Sequence, residues 1–432
     1  MRPGPPIGAA VRTGCRPSGQ GRGGGTQTKK AAKPKAKEEN MTIRAKSGVL
    51  KRTAMAGALC ALGLGQAHAV SFTQGDSTID INGTINGFYS NRTSESGGVK
   101  TTNSALTNGL LPGWINFVFT TKVDGLDIKA HVGFAPGIND KSDVVGLPSN
   151  PGCGGATGCD SPFSQIDTRN LYFQFGAPDW GTVKLGRDIG LFGQKIILSD
   201  MTLLGLGGNS YAATPFNTTF GMIGHGYMYT GFQPQITYTT PTMGGFSASA
   251  GIFDPNKFAG DETQDPGFQA MLNYDWKAGA STTGSLWAGY VHQGTSGDGS
   301  FDANGYELGA KIGVGNFEAV AYGFDAKGLG LSTVGALYFS PFEKTKGKGY
   351  FVQGTYKFGK TKVGLNYGEN RDSSGTLTET NKFRSATLGV YHSLNKYVTL
   401  VAEYNREKGT GADIFPGDLK TRTISLGGIL FF

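Results

Sequence analysis

The sequence is poor in charge, cysteine, histidine and long apolar runs. Charged residues make up 17% of its 432 positions, against roughly 25% in ordinary soluble domains. No stretch of 18 apolar residues occurs outside residues 53 to 70, and mean hydropathy is −0.24, which excludes a bundle of membrane-spanning helices. Of five histidines, the four beyond residue 69 (His131, His225, His292 and His392) fall on separate segments, and no local motif joins them to a nucleophile. A hydrolase built on a Ser/His or Asp/His constellation therefore finds no support, and no catalytic residue, metal or cofactor is implied. What the chain has in quantity is glycine, 71 residues, with 27 Phe and 17 Tyr spread along its length. That many aromatics excludes a disordered chain, and glycine-rich, charge-poor composition points to a large all-β protein, in water or in a membrane.

The basic balance is concentrated in a leader. Residues 41–69 combine a basic start (Arg44, Lys46, Lys51, Arg52), an apolar middle from Ala54 to Leu64 and the small-x-small end Ala67-His68-Ala69, the pattern of a secretory signal peptide. Residues 1–40, rich in Gly, Pro and Lys, read as an unstructured upstream extension. Met41 is an alternative start, since codons for Lys37-Glu38-Glu39-Asn40 can resemble a ribosome-binding site. The formal net charge of +8 belongs to the whole chain; from Val70 onward 27 basic residues stand against 30 acidic ones, about −3. A nucleic-acid partner is thereby dropped. In an exported chain, Cys153 and Cys159, six residues apart in a Gly/Pro/Ser stretch, suit a disulfide. The rival reading, a metal site, lacks a nearby His or further Cys.

Along residues 70–432 the dominant signal is alternation of period two. Ile79, Ile81 and Ile85 fall opposite Asp80, Asn82, Thr84 and Asn86; Phe268, Leu272 and Tyr274 fall opposite Gln269 and Asn273; Tyr306, Leu308 and Ile312 fall opposite Glu307 and Lys311. Tight turns at Asp124-Gly125, Gly244-Gly245, Gly313 to Asn316, Gly359-Lys360 and Asn395-Lys396 alternate with long polar connections near 93–112, 137–167, 190–230, 254–266, 293–304, 326–347, 369–381 and 407–419. Eight long connections interleaved with short turns imply sixteen strands with all long loops at one end. That is the layout of a 16-stranded antiparallel transmembrane β-barrel, which satisfies every backbone group inside lipid. Aromatics near strand ends (Tyr89, Trp276, Tyr290, Tyr322, Tyr356, Phe358, Tyr391, Tyr404) suit interfacial girdles. The last strand, Ile424, Leu426, Gly428, Leu430 and Phe432 in alternation, must close against the first.

Thr168-Arg169-Asn170-Leu171-Tyr172-Phe173 and Trp180-Gly181-Thr182-Val183-Lys184-Leu185-Gly186-Arg187 resemble the fourth and fifth strands of Gram-negative general porins, and terminal Phe432 resembles their C-terminal assembly signal. The resemblance covers Ser77 to Phe432 as a strand pattern, with a sharp motif of some twenty residues. It implies an outer-membrane homotrimer embedded in lipid, each barrel passing ions and small hydrophilic solutes through a water-filled pore narrowed by the inward-folded loop after the fifth strand. By the same resemblance Asp200, Arg169 and Lys184 are the pore-constriction candidates. Arg187 is the trimer-contact candidate, with Asp140, Asp143 and Asp160 as possible partners on the latching loop that carries the cysteines. Asp200 also reads as an ordinary solvated loop acid. Arg169 shares parity with apolar Leu171 and Phe173, which conflicts with a place on the pore wall.

The second strand has no Arg where many family members carry one, and Leu203-Leu204 replace a second loop acid, so a weakly charged eyelet is expected. By parity Lys184, Lys311, Lys357 and Lys362 face Asp80, Asp275, Glu307 and Glu403, and neither sign wins. The nearest alternative is a substrate-selective channel for a sugar or carboxylate, with Phe192, Tyr211, Phe216, Phe220, Tyr227 and Tyr229 as a candidate aromatic ladder. A plugged structural barrel would need an extra segment for which the sequence shows no pattern.

Overall fold

A computed structural model of the chain describes residues 69–138, 166–208, 218–254, 266–294, 302–329, 344–373, 379–411 and 418–432. The upstream extension, the signal peptide up to His68, Asp140, Asp143, Asp160, Cys153 and Cys159 lie outside the described residues.

Eighteen strands follow in order: β1 Val70–Gln74, β2 Ser77–Ser96, β3 Val99–Thr107, β4 Trp114–Val123, β5 Leu126–Pro136, β6 Ile166–Ala177, β7 Gly181–Ile189, β8 Phe232–Thr239, β9 Phe246–Phe253, β10 Gly267–Ala278, β11 Thr282–Gly294, β12 Asp302–Val314, β13 Phe317–Lys327, β14 Lys346–Phe358, β15 Thr361–Ser373, β16 Asn381–Ser393, β17 Val398–Thr410 and β18 Leu419–Phe431. Sixteen of them, β2 and β4 to β18, pair antiparallel each to the next. The ring closes where β18 pairs with β2 from Lys420↔Glu95 to Phe431↔Thr84. Phe432 extends that seam, accepting from Gly83 N at 2.8 Å and donating to Gly83 O at 3.1 Å. Among the described residues no sheet edge is left open in the ring, which is what a strand architecture in lipid requires.

The two remaining strands are accessory. β1 pairs with the start of β2, Val70↔Ile81 to Gln74↔Ser77, on the edge where β18 has ended. β3 folds the long β2 back on itself, Phe88↔Thr107 to Ser96↔Val99, around a Gly97-Gly98 turn with φ of 55° and 80°. The expected polar connection near 93–112 is thus a β-ribbon. Its Thr and Ser side chains pair across strands, as Thr93 with Thr102 at 3.1 Å, and β-branched residues favour that geometry.

Tight turns share one end. Asp124 and Gly125 take φ of 50° and 82°, the left-handed pair that a two-residue hairpin needs. Along each strand apolar side chains point out: Leu272, Leu308 and Leu365 are 58–67% exposed, while Asn273, Glu307 and Asn366 beside them are buried inside. An apolar band of this extent on every strand far exceeds what a soluble monomer exposes and fits acyl chains. Outward aromatics cluster at its margins, with Phe246 stacked on Tyr274 at 4.2 Å, Tyr274 on Trp276 at 5.5 Å, and Tyr356 near Phe358 at 4.5 Å. Two residues expected there do not belong to the girdle. Tyr322 and Tyr391 have inward parity, are buried, and donate their hydroxyls to Glu307 and Glu403.

Candidate functional site

Between β7 and β8 the chain turns into the barrel. It carries the short helix α1, Gln194–Ile197, and a 3-10 turn, Met201–Leu204, capped by the Asp200 side chain, which accepts from Thr202 N. Apolar residues of this segment, among them Phe192, Ile196, Leu203, Leu204, Met222 and Met228, pack with Trp287, Phe324, Phe351 and Val401 of the facing wall into a continuous apolar layer. Burying side chains of this size stabilises by about 1.5–3 kcal/mol each. The Leu203-Leu204 run that stands in place of a second acid is part of this layer.

Wall side chains capture the backbone that a non-helical segment would otherwise leave unpaired. Gln269 accepts from Leu191 N and Phe192 N at 2.8 and 3.0 Å, and Glu307 from Gly193 N at 2.9 Å. Gln353 accepts from Met201 N at 2.7 Å and donates to Ser199 O at 2.8 Å. Glu403 accepts from Leu206 N and Gly207 N at 2.8 and 2.9 Å, and Asn370 from Gly226 N at 2.7 Å. His225 Nε2 lies 3.6 Å from Glu407. Burial lowers the His225 pKa, with Glu407 opposing that shift. Side chains of β10, β12, β14, β15 and β17 therefore hold the inward loop, and backbone bonds from Leu110 N to Gly205 O at 2.8 Å and from Thr219 N to Gly109 O at 3.0 Å tie it to the connection after β3. Its contact with β15 is close enough that a Cβ added at Gly368 would lie 1.8 Å from His225 O.

Asp200 lies on this loop, but its carboxylate is 0% exposed. Oδ1 accepts from Thr202 N at 2.9 Å and Asn366 Nδ2 at 3.2 Å; Oδ2 accepts from Thr202 Oγ1 at 2.6 Å and Tyr227 OH at 2.8 Å. Burial raises its pKa, and the hydrogen bonds from Thr202 and Tyr227 offset part of that rise. Both readings of Asp200 as a water-facing group are corrected: saturation by four internal donors makes it a clasp between loop and wall. The loop's charged group that retains access to solvent is Lys195 in α1, whose pKa burial lowers and nearby Asp275 raises. Nothing in the local sequence marked Lys195 out, because its exposure depends on how the loop folds inside the barrel.

Arg169 is on the inner face despite its parity. Pairing of β5 with β6 passes from Gly133↔Asn170 to Phe134↔Thr168, leaving Arg169 as the extra residue of a β-bulge. The bulge re-aims its side chain. The guanidinium then lies between the rings of Trp114 and Phe232, 5.7 and 5.4 Å from their centroids, an Arg–aromatic stack. Lys184 faces inward on β7, ion-paired with Asp188 and 5.1 Å above the Tyr172 ring. Asp188 also accepts from Asn170 at 2.7 Å. Arg187 points outward beside exposed Leu171 and donates to Thr168 O at 3.1 Å. Of the proposed aromatic ladder, Phe192, Phe220 and Tyr227 are buried in the apolar layer and Tyr229 packs against it. Tyr211 and Phe216 lie outside the described residues.

A closed sixteen-stranded antiparallel barrel with an apolar belt, a polar interior and an inward loop defines an outer-membrane channel. The model of the Gram-negative porin family matches residues 53–412, and the chain belongs to that family. Its fold is similar to the outer-membrane channel DcaP of Acinetobacter baumannii, with TM-score 0.59 and 15% identity over 83% of this chain and 99% of that one. It is similar also to the anion-selective porin from Comamonas acidovorans, with TM-score 0.58 and 17% identity over 82% and 100%. A third similar structure is OmpT, an outer membrane protein of Vibrio cholerae in trimer form, with TM-score 0.51 and 14% identity over 83% and 100%. No curated protein matches the chain by sequence.

Proposed function

We propose that the protein is a passive diffusion porin for ions and small hydrophilic solutes, exported by residues 41–69 and assembled as a homotrimer. The observation that carries this reading is the firm attachment of the inward loop inside the barrel. Side chains of β10–β17 hold it, the connection after β3 adds Leu110 N to Gly205 O at 2.8 Å and Thr219 N to Gly109 O at 3.0 Å, and inward Lys184 of β7 keeps access to the lumen. A barrel of sixteen strands leaves an aqueous lumen, and a loop fixed inside it narrows that lumen to a sieve. Half-buried Lys184 lines the constriction, whereas Arg169, expected there, is buried between Trp114 and Phe232 and supports that wall from behind. Outward Arg187 is the trimer contact, and the trimeric state described for OmpT of Vibrio cholerae is in keeping with it. Burial of Phe192, Phe220 and Tyr227 disfavours a sugar channel built on loop aromatics.

Liposome swelling with uncharged sugars of increasing size tests the sieve. Swelling rates should fall smoothly with solute size. Saturation with one sugar alone would instead indicate a selective binding channel.

A further inference from the structure

Toward the end that carries the long connections, the outward faces of β14 to β18 change from apolar to basic. Outward side chains run Leu400, Tyr404, Arg406, Lys408 along β17 and Leu426, Ile424, Arg422, Lys420 back along β18. Arg371 on β15 shares the outward parity of exposed Leu365, and Lys382 on β16 that of exposed Leu388. On β14, β15 and β17 an outward tyrosine, Tyr350, Tyr367 or Tyr404, separates the apolar band from the cation beyond it. Tyrosines so placed mark the membrane interface, which puts the cations at headgroup level.

Register sets like charges side by side. Arg406 is the direct partner of Arg422 and Lys408 of Lys420, while Lys348, Arg371 and Lys382 form one row across β14, β15 and β16. Like charges directly opposite each other are destabilising. On these five strands the one outward carboxylate is Glu369, already ion-paired with both Arg371 and Arg384; Asp372, Glu403 and Glu407 are buried on the inner face. At the margins Asp325 of β13 lies opposite Lys348, Glu95 of β2 opposite Lys420, Asp418 pairs with Lys408 at 3.3 Å, and Glu379 precedes β16. Among the described residues Arg406, Arg422 and Lys382 form no salt bridge. The strip belongs to one sector: β8, β9 and β11 have no Lys or Arg, and β10 has only Lys277 beside its tight turn.

We propose that this outward strip docks the phosphorylated glycolipid of the outer leaflet and binds its phosphates directly, without bridging divalent cations. The long connections of such barrels face the cell exterior, so the strip lies in the leaflet whose headgroups are phosphorylated sugars. A phosphate between the Arg406 and Arg422 guanidinium groups relieves their repulsion and accepts hydrogen bonds from both. A bridging metal ion would need a free carboxylate on the strip, and Glu369 is taken by two arginines. The inference rests on the barrel's place in the outer membrane and is independent of what crosses its lumen.

The test measures lipid A retained by the folded protein in detergent, with and without the chelator EDTA, against lipid A stripped of its phosphates. Wild type should retain the phosphorylated form equally well in chelator and should lose the dephosphorylated form. This comparison needs no variant. Arg406→Gln/Arg422→Gln should weaken retention about thirtyfold, the effect of two basic groups at an anionic surface, and Lys408→Arg/Lys420→Arg should keep it. Both variants should conduct as the wild type does, because these side chains face away from the lumen. Loss of lipid A from the wild type in chelator overturns direct docking. Equal retention of the two lipids, or a Gln pair that retains lipid A as the wild type does, overturns the strip as a headgroup site. A Gln pair that dissociates the oligomer at unchanged lipid retention would make the strip a subunit contact and overturns the proposal equally.

Discussion

The hydroxyl of Tyr227 donates to Asp200 Oδ2 at 2.8 Å in a site with no solvent exposure, tying the returning half of the inward loop to its outgoing half. Asn366 of β15 donates to the other oxygen at 3.2 Å, so one carboxylate joins both halves of the loop to the wall. Asp200→Ala leaves these donors buried without an acceptor, at a cost of roughly 3 kcal/mol. The expected outcome is faster proteolysis of the 190–230 segment and a noisier, larger single-channel conductance, with the barrel's far-ultraviolet circular dichroism unchanged.

The pH dependence of that clasp has a defined sign. Burial raises the Asp200 pKa above 3.8, so the native state holds the proton more tightly than the unfolded chain does. Its contribution to stability is full below that value and is lost as pH rises through the raised pKa. Asp200→Asn, which cannot ionise, removes this component. The difference in unfolding rate in detergent between wild type and Asp200→Asn should change steadily as pH rises from below 4 through the raised pKa, and a pH-independent difference would contradict the assignment.

Gly368 lets the loop lie against β15. A methyl group there meets His225 O at 1.8 Å and the His225 carbonyl carbon at 2.8 Å, both backbone atoms that cannot rotate away. Gly368→Ala should displace the 222–228 turn at a cost of about 1–3 kcal/mol. Conductance should rise, whereas Gly359→Ala, at a turn with open space around it and φ of 56°, should leave conductance unchanged.

Arg169 separates charge from stacking. Arg169→Lys keeps the positive charge but loses the planar contact with Trp114 and Phe232. It should shift Trp114 fluorescence and weaken packing by about 1 kcal/mol while changing ion preference little. Arg169→Gln should do both. A fluorescence spectrum insensitive to either substitution would contradict the stacked geometry.

Strand number and loop order were legible because alternation and turn chemistry are local properties of the chain, whereas the inward fold of the segment after the fifth barrel strand was expected only from the family resemblance. Charge balance in the lumen was not legible. Parity counts Glu307 and Glu403 as lumen acids, and nothing local records that backbone amides of a loop more than a hundred residues away occupy them. Arg169 misled for a related reason, since one extra residue opposite Gly133/Phe134 resets the face and alternation carries no signal for a bulge. Tyr322 and Tyr391 looked like girdle aromatics by composition alone, although their parity already set them inside.

Single-channel recording of the folded protein in a planar bilayer tests the central claim most directly. The account predicts a water-filled channel opening in three equal conductance steps, with current linear in salt concentration. Folded protein that leaves the bilayer silent would show the lumen to be closed and would contradict it.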